Sequence, residues 1–245
     1  MTAAFHIVIP ARYASSRLPG KPLTPLAGRP LVEHVWRRAR EGGAKTVVVA
    51  TDDERVASCV ENFGGRACLT RPDHACGTDR VAEVAEQLGF EPDEVVVNLQ
   101  GDAPLVNPAH IRAVALRACR EDLATLASPL SDPAEAANPN VVKVVLDAAG
   151  KALYFSRAPI PARHPASAVR PRYLRHTGLY AYRVEVLERL TGEQPCELER
   201  TEGLEQLRAL WLGMSIGVEV VDPPPGPEVD TPEDVRRVQQ LLRSV

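Results

Sequence analysis

The stretch 46-TVVVATDDERVASCVENFGGRACL-69 decides the fold. Its opening 46-TVVVA-50 is β-rich and apolar without alternation, as a strand covered on both faces should be. Residues 53-DERVASCVENF-63 then carry a helical pattern, and 66-RACL-69 returns to extended character. Outward from this unit the same rhythm repeats. Upstream lie the run 5-FHIVI-9 and a helical 30-PLVEHVWRRAR-40; downstream come 78-TDRVAEVAEQL-88, 94-EVVVN-98 and 109-AHIRAVALRAC-119. Apolar strands separated by amphipathic helices predict a doubly wound, mostly parallel α/β sheet.

The second half departs from this order. Two β-rich runs, 141-VVKVVLD-147 and 151-KALYFSR-157, flank Ala148-Ala149-Gly150 and predict an antiparallel hairpin. A proline-rich surface loop over 158–172 follows, then a strand over 173–182, a long helix over 197–212, a strand over 216–221 and a closing helix over 232–242. The expectation is one domain over 1–245, with 138–183 contributing a smaller hairpin lobe.

At 245 residues, 44% of them hydrophobic, the chain can bury a substantial core. Lys and Arg total 29 against 32 Asp and Glu, a formal charge of -3, so nothing draws the whole molecule to nucleic acid or an anionic membrane. A secretory h-region and an apolar run near about 18 residues are both lacking, which suits a cytosolic chain. Cys59, Cys68, Cys76, Cys119 and Cys196 are odd in number and form no CxxC pair, so they read as reduced thiols.

In an open parallel sheet, ligands bind beyond the carboxyl ends of the strands. The segment 10-PARYASSRLPGKPL-23 occupies such a place after the first strand. Arg12, Arg17 and Lys21 can donate charge-assisted hydrogen bonds to phosphate oxygens, while Ser15, Ser16 and Gly20 allow close backbone approach. Neither GxxxxGK[ST] nor GxGxxG is present. On charge alone, a solvated loop stiffened by Pro19, Pro22 and Pro25 is an equal reading. Asp102 in 96-VVNLQGDAP-104 suits a hard cation at the carboxyl edge, or a turn with Gly101. Asp230 in 229-VDTPED-234 reads first as a helix cap, shared with Thr231.

The series 9-IPARYASSRLPGKPL-23, 71-RPDHACGTDR-80, 96-VVNLQGDAP-104, 153-LYFSRAPIP-161, 175-RHTGLYAYR-183, 204-LEQLRALWLG-213 and 229-VDTPED-234 resembles the sugar-nucleotide cytidylyltransferases over the full length. Within them the likeness is greatest to the branch that activates 3-deoxy-manno-octulosonate (Kdo). The resemblance implies CTP and a 3-deoxy-2-ulosonic acid as substrates, Mg²⁺ as cofactor, a homodimer, and CMP-Kdo for lipopolysaccharide or capsule. It implies Arg17, Lys21 and Asp102 as catalytic residues, and Asp102 with Asp230 as metal ligands. Ala11, Arg12, Ser15, Arg71, Gly77, Thr78 and Arg80 become nucleotide contacts. Gln100, Arg157, His176, Tyr180, Glu205 and Gln206 become sugar contacts.

Two residues depart from the family pattern: Ala103 stands where an acidic residue is typical, and Asp79 where Glu is usual. A related ulosonic acid or a sialic acid therefore stays open as substrate, as does a non-catalytic nucleotide-binding role on the same fold.

Overall fold

Strand β1 (Phe5–Pro10) is buried along its first five residues. Ile7 and Ile9 enter one core and Val8 the other. That division is the two-residue period of an extended chain, and it explains an apolar run without alternation. The computed structural model describes residues 4–14 and 17–243. After β1 come the two-residue strands β2 (Pro25–Leu26) and β3 (Arg29–Pro30), then α1 (Leu31–Glu41), β4 (Thr46–Thr51), α2 (Glu54–Asn62), β5 (Arg66–Leu69), α3 (Gly77–Leu88), β6 (Val95–Asn98) and α4 (Pro108–Ala118). The second half adds β7 (Leu123–Pro129), β8 (Lys143–Leu146), β9 (Ala152–Ser156), β10 (Leu174–Arg183), α5 (Val184–Gly192), α6 (Glu197–Glu202), α7 (Gln206–Trp211), β11 (Ile216–Val220) and α8 (Pro232–Arg243).

The main sheet runs β11-β7-β10-β6-β1-β4-β5, with β8 joined to β10 and β9 to β8. β6, β1, β4 and β5 are mutually parallel, as are β11 and β7; β10 lies antiparallel between the two groups. Residues of α1, α2, α4 and α8 pack on one face and those of α3, α5 and α7 on the other. This is the expected doubly wound, mostly parallel architecture. The hairpin over 141–157 also forms, as β8 and β9, with the Asp147 carboxylate accepting from the Ala149 and Lys151 amides at 2.8 Å each. No helix among the described residues is long and apolar enough to cross a membrane.

Three elements differ from expectation. Strand β7, 123-LATLASP-129, has one β-branched residue and no aromatic one to signal a strand, yet its first six residues are buried. Helix α5 follows β10 without a break, an element absent from the expected order. The single helix expected over 197–212 is two, because Gly203 adopts a left-handed φ of 61° that closes α6.

Arg208 binds these three helices together. Its guanidinium donates to both Glu199 carboxylate oxygens at 2.7 and 2.6 Å, and to the Leu190 and Glu193 carbonyls at the end of α5 at 3.2 and 3.0 Å. Both charged side chains are largely buried, 9% and 12% exposed. Arg208→Met strands the Glu199 carboxylate, and a loss of ~3–5 kcal/mol in chemical denaturation is expected. A loss below about 1 kcal/mol would show that Arg208 is dispensable to the packing of α5, α6 and α7.

Candidate active site

Strands β1, β5 and β6 end on one edge of the sheet, and the segments that follow them meet in a cavity of about 280 Å³. Ala11 forms its floor, 3% exposed, with its amide donating to the Ala50 carbonyl at 2.8 Å. Gly101 is required for a steric reason. A Cβ there would stand 2.7 Å from the Pro10 carbonyl oxygen, so only glycine lets the loop after β6 press against the end of β1.

Opposite charges from three distant segments converge here. Lys21 Nζ donates to Asp102 Oδ2 at 2.7 Å and to Asp230 Oδ1 at 3.0 Å, across 81 and 209 residues of sequence. Arg17 reaches the same Asp230 oxygen at 3.0 Å while its side chain stays 65% exposed. Arg12 also lines the cavity and has no ion pair among the described residues. Asp102 Oδ1 is buried without a hydrogen-bond partner. A carboxylate oxygen so placed points to a cation that would complete it. Asp230 is not the helix cap. Thr231 and Asp234 cap α8 reciprocally: Asp234 Oδ2 accepts from the Thr231 amide at 2.9 Å, and Thr231 Oγ1 accepts from the Asp234 amide at 3.3 Å. The Asp230 carboxylate is thereby left to the cavity.

The nucleotide-side candidates divide. Gly77 and Arg80 line the cavity. Arg80 is 3% exposed and is fixed by Thr70 and by Asp52 Oδ2 at 3.1 Å, so its guanidinium is a rigid part of the wall. Thr78 lies behind Gly77, buried, beside Tyr182 and Glu205. Arg71 is outside the cavity. It faces a neighbouring groove, pairing with Glu83 at 3.8 Å and Asp73 at 4.0 Å. Ser15 lies outside the described residues. Cys76 lines the cavity as a protonated thiol, pushed up to about 12 by burial and by the nearby Glu205 carboxylate.

A second cleft of about 510 Å³ opens beside the first. His176 and Gln206 line it, together with Arg175, Glu228 and Arg237. Gln100 belongs both to the first cavity and to a small recess with Ala103, Gly178 and Glu228, so it forms a shared wall. Its amide donates to Asn98 Oδ1 at 3.0 Å. The regular alternation expected along 175–183 is interrupted by a bulge between Thr177 and Tyr180. The bulge adds two residues, so His176 and Tyr180 keep the same face, with ring centroids 5.4 Å apart.

Protein packed around His176 pushes its imidazole down to about 3, which leaves it neutral. Burial raises the Tyr180 phenol well above its ordinary range and the Glu205 carboxyl above its own, the latter against hydrogen bonds from Thr78 and Cys76. Gln206 is 6% exposed, with Nε2 lacking a partner. Arg157 does not join this cleft. Its guanidinium donates to the backbone carbonyls of Glu202 at 2.6 Å, Pro139 at 2.9 Å and Gly203 at 3.3 Å, and its fork is thereby occupied.

Sequence reading missed Glu228, on the rim between the clefts. Partial enclosure and the like charges of Asp102 and Asp230 raise its carboxyl to about 7, against Lys21 and Arg175. Its only sequence signal is its place two residues before Asp230. Asp52, the partner of Arg80, was visible only as part of 51-TDDER-55 after a strand.

A family profile described as cytidylyltransferase matches residues 6–216. The chain belongs to the cytidylyltransferase family. This cytidylyltransferase is 51% identical over 255 residues to the 3-deoxy-manno-octulosonate cytidylyltransferase of Pseudomonas syringae pv. tomato (strain ATCC BAA-871 / DC3000), covering 100% of both chains. It is likewise 51% identical over 253 residues to the protein of the same name from Pseudomonas syringae pv. syringae (strain B728a), covering 99% of each. A solved structure of CMP:2-keto-3-deoxy-manno-octonic acid synthetase complexed with CTP superposes with a TM-score of 0.91 at 44% identity, over 99% of each chain.

Proposed function

We propose that this cytidylyltransferase activates 3-deoxy-D-manno-octulosonate with CTP, giving CMP-Kdo and pyrophosphate. One observation carries the reading: a cavity in which Lys21 joins Asp102 and Asp230 shares its Gln100 wall with a small recess, and that recess shares Gly178 and Glu228 with a polar cleft lined by His176 and Gln206. A triphosphate and a polyol can therefore lie side by side. Full-length relatives and a CTP-bound structural neighbour named for the same reaction support it.

In the reaction the anomeric hydroxyl oxygen bonds to the α-phosphorus while the bond from that phosphorus to the bridging oxygen breaks and pyrophosphate leaves. Such transfers depend on positioning and charge stabilisation rather than on a protein nucleophile. Arg12, Arg17 and Lys21 stand where they can take the triphosphate oxygens, and Lys21 and Arg17 offset charge growing on the departing pyrophosphate. Ala11, Gly77 and Arg80 shape the nucleotide wall. Neutral His176 and Gln206 suit hydroxyl groups, and Glu205 braces α7 against the start of α3 through Thr78 and Cys76.

Magnesium fits the donor set. Asp102 and Asp230 converge, one Asp102 oxygen is an orphan, and the described residues hold no cluster of three His, Cys, Asp or Glu that would form an all-protein cage. Mg²⁺ commonly takes one or two carboxylates and completes its shell with phosphate oxygens and water. When bound it supplies neutralisation of phosphate charge.

In this reading the protein is a cytosolic homodimer built through the β8–β9 hairpin, and its product serves lipopolysaccharide or capsule assembly. The deciding assay is pyrophosphate release from CTP and Mg²⁺ with Kdo, with a sialic acid, or without sugar. Release with Kdo at a rate well above both other arms is expected; no release above the sugar-free control sinks the assignment, and preference for the sialic acid transfers it.

A further inference from the structure

Thr125 lies at the middle of β7 with no exposed surface, hydrogen-bonded between β10 and β11. Its hydroxyl is the meeting point of three groups. Oγ1 is 3.0 Å from the Thr177 carbonyl, 2.9 Å from the Leu179 carbonyl and 3.0 Å from His176 Nε2. The two carbonyls are those of the β10 bulge, and His176 lines the second cleft.

Hydrogen counting decides how the three share one hydroxyl. A threonine hydroxyl has one proton to give and two lone pairs to accept with. Carbonyl oxygens only accept, so the proton of Thr125 is drawn to the Thr177 and Leu179 carbonyls. What remains for the imidazole is a lone pair. Nε2 must then carry the ring proton and donate it to Oγ1, and in a neutral ring Nδ1 is left as an acceptor. Nδ1 makes no hydrogen bond among the described residues, nor is it one of the buried, unpartnered side-chain atoms, so it is open to the cleft its ring lines. The opposite tautomer would need the Thr125 proton to leave both bulge carbonyls at once.

We propose that Thr125 is a positioning residue that holds the β10 bulge and fixes His176 as the Nε2–H tautomer, so that Nδ1 accepts a hydrogen bond from a hydroxyl of the sugar acid. This rests on the reading of the second cleft as the sugar site. A lone pair facing the cleft selects a ligand hydroxyl or amine and repels a carboxylate or phosphate oxygen, so His176 reads the polyol part of the substrate and not its acid group.

Thr125→Val keeps the shape and removes the hydroxyl; Thr125→Ser restores it. Two-bond ¹H–¹⁵N correlation spectra of the folded protein read the tautomer without any substrate. Wild type and Thr125→Ser should show His176 as Nε2–H, and Thr125→Val should lose that pattern. In steady-state kinetics Thr125→Val should raise KM for Kdo by about tenfold and leave KM for CTP within about twofold. A wild-type His176 in the Nδ1–H form overturns the proposal, as does an unchanged tautomer in Thr125→Val. Equal rises in both KM values would reduce Thr125 to a general structural residue. Failure of wild type to use Kdo would instead remove the sugar reading, while the tautomer result stands by itself.

Discussion

Lys21→Gln turns over CTP and Kdo at about a hundredth to a thousandth of the wild-type rate, the loss expected when one preorganised donor to developing charge is removed. The residue is well placed for so large an effect. Its side chain is 15% exposed and its ammonium is held within 3.0 Å of two carboxylates, so it is ordered before any ligand arrives and pays little entropy to meet a phosphate. Glutamine keeps a hydrogen-bond donor, one bond shorter, and deletes the charge. A second measurement moves the opposite way. Lys21 and a divalent cation compete for the same oxygens of Asp102 and Asp230, so Mn²⁺ binding followed by electron paramagnetic resonance without nucleotide should tighten in the variant. A protein that had merely lost its fold would lose both properties. Turnover within about threefold of wild type would remove Lys21 from the chemistry.

Asp102→Asn is expected to lower turnover by about a thousandfold, equivalent to several kcal/mol of charge stabilisation. The substitution is nearly isosteric. Gly101 and the tight approach to Pro10 are untouched, and Lys21 retains Asp230 as a partner, so the thermal midpoint should move by only a few degrees. What changes is the oxygen without a partner: an amide at this position offers a cation half the acceptors and none of the charge. Mn²⁺ binding should therefore weaken along with turnover, in contrast to Lys21→Gln. Full turnover with normal Mn²⁺ affinity would show that the orphan oxygen has another use.

The parallel half of the fold was legible because its strands are covered on both faces and so read as unbroken apolar runs between helices. Ile7, Val8 and Ile9 show this residue by residue, alternating between two cores that are both buried. β7 was not legible, since Thr125 is its one β-branched residue among Ala, Ser and Leu, and its burial comes from β10 and β11, which are distant in sequence. The long helix over 197–212 failed at Gly203, where one left-handed residue outweighed a continuous helical pattern on either side. For the site, the loop holding Arg17 and Lys21 and the acids Asp102 and Asp230 could be picked out by type and place, but their meeting could not. Arg157 and Arg71 show the limit of residue type as a guide. A guanidinium fork fits a carboxylate, three backbone carbonyls or a surface ion pair, and only the surroundings decide among them.

The antiparallel strand at the centre of the sheet has a consequence for how new specificity could arise. Tyr180 on β10 pairs directly with Asn98 on β6. Four residues along one strand from that pair stands His176; four along the other chain stands Asp102. In the proposed reading the two substrates are thus gauged from a common origin, like two jaws cut on one vernier, one set beyond the β10 bulge and the other on the turn after β6. Side chains on the β10 jaw can be exchanged to admit a different sugar while the phosphate jaw keeps its setting. A slip of one residue in the β6–β10 register would instead discard both at once.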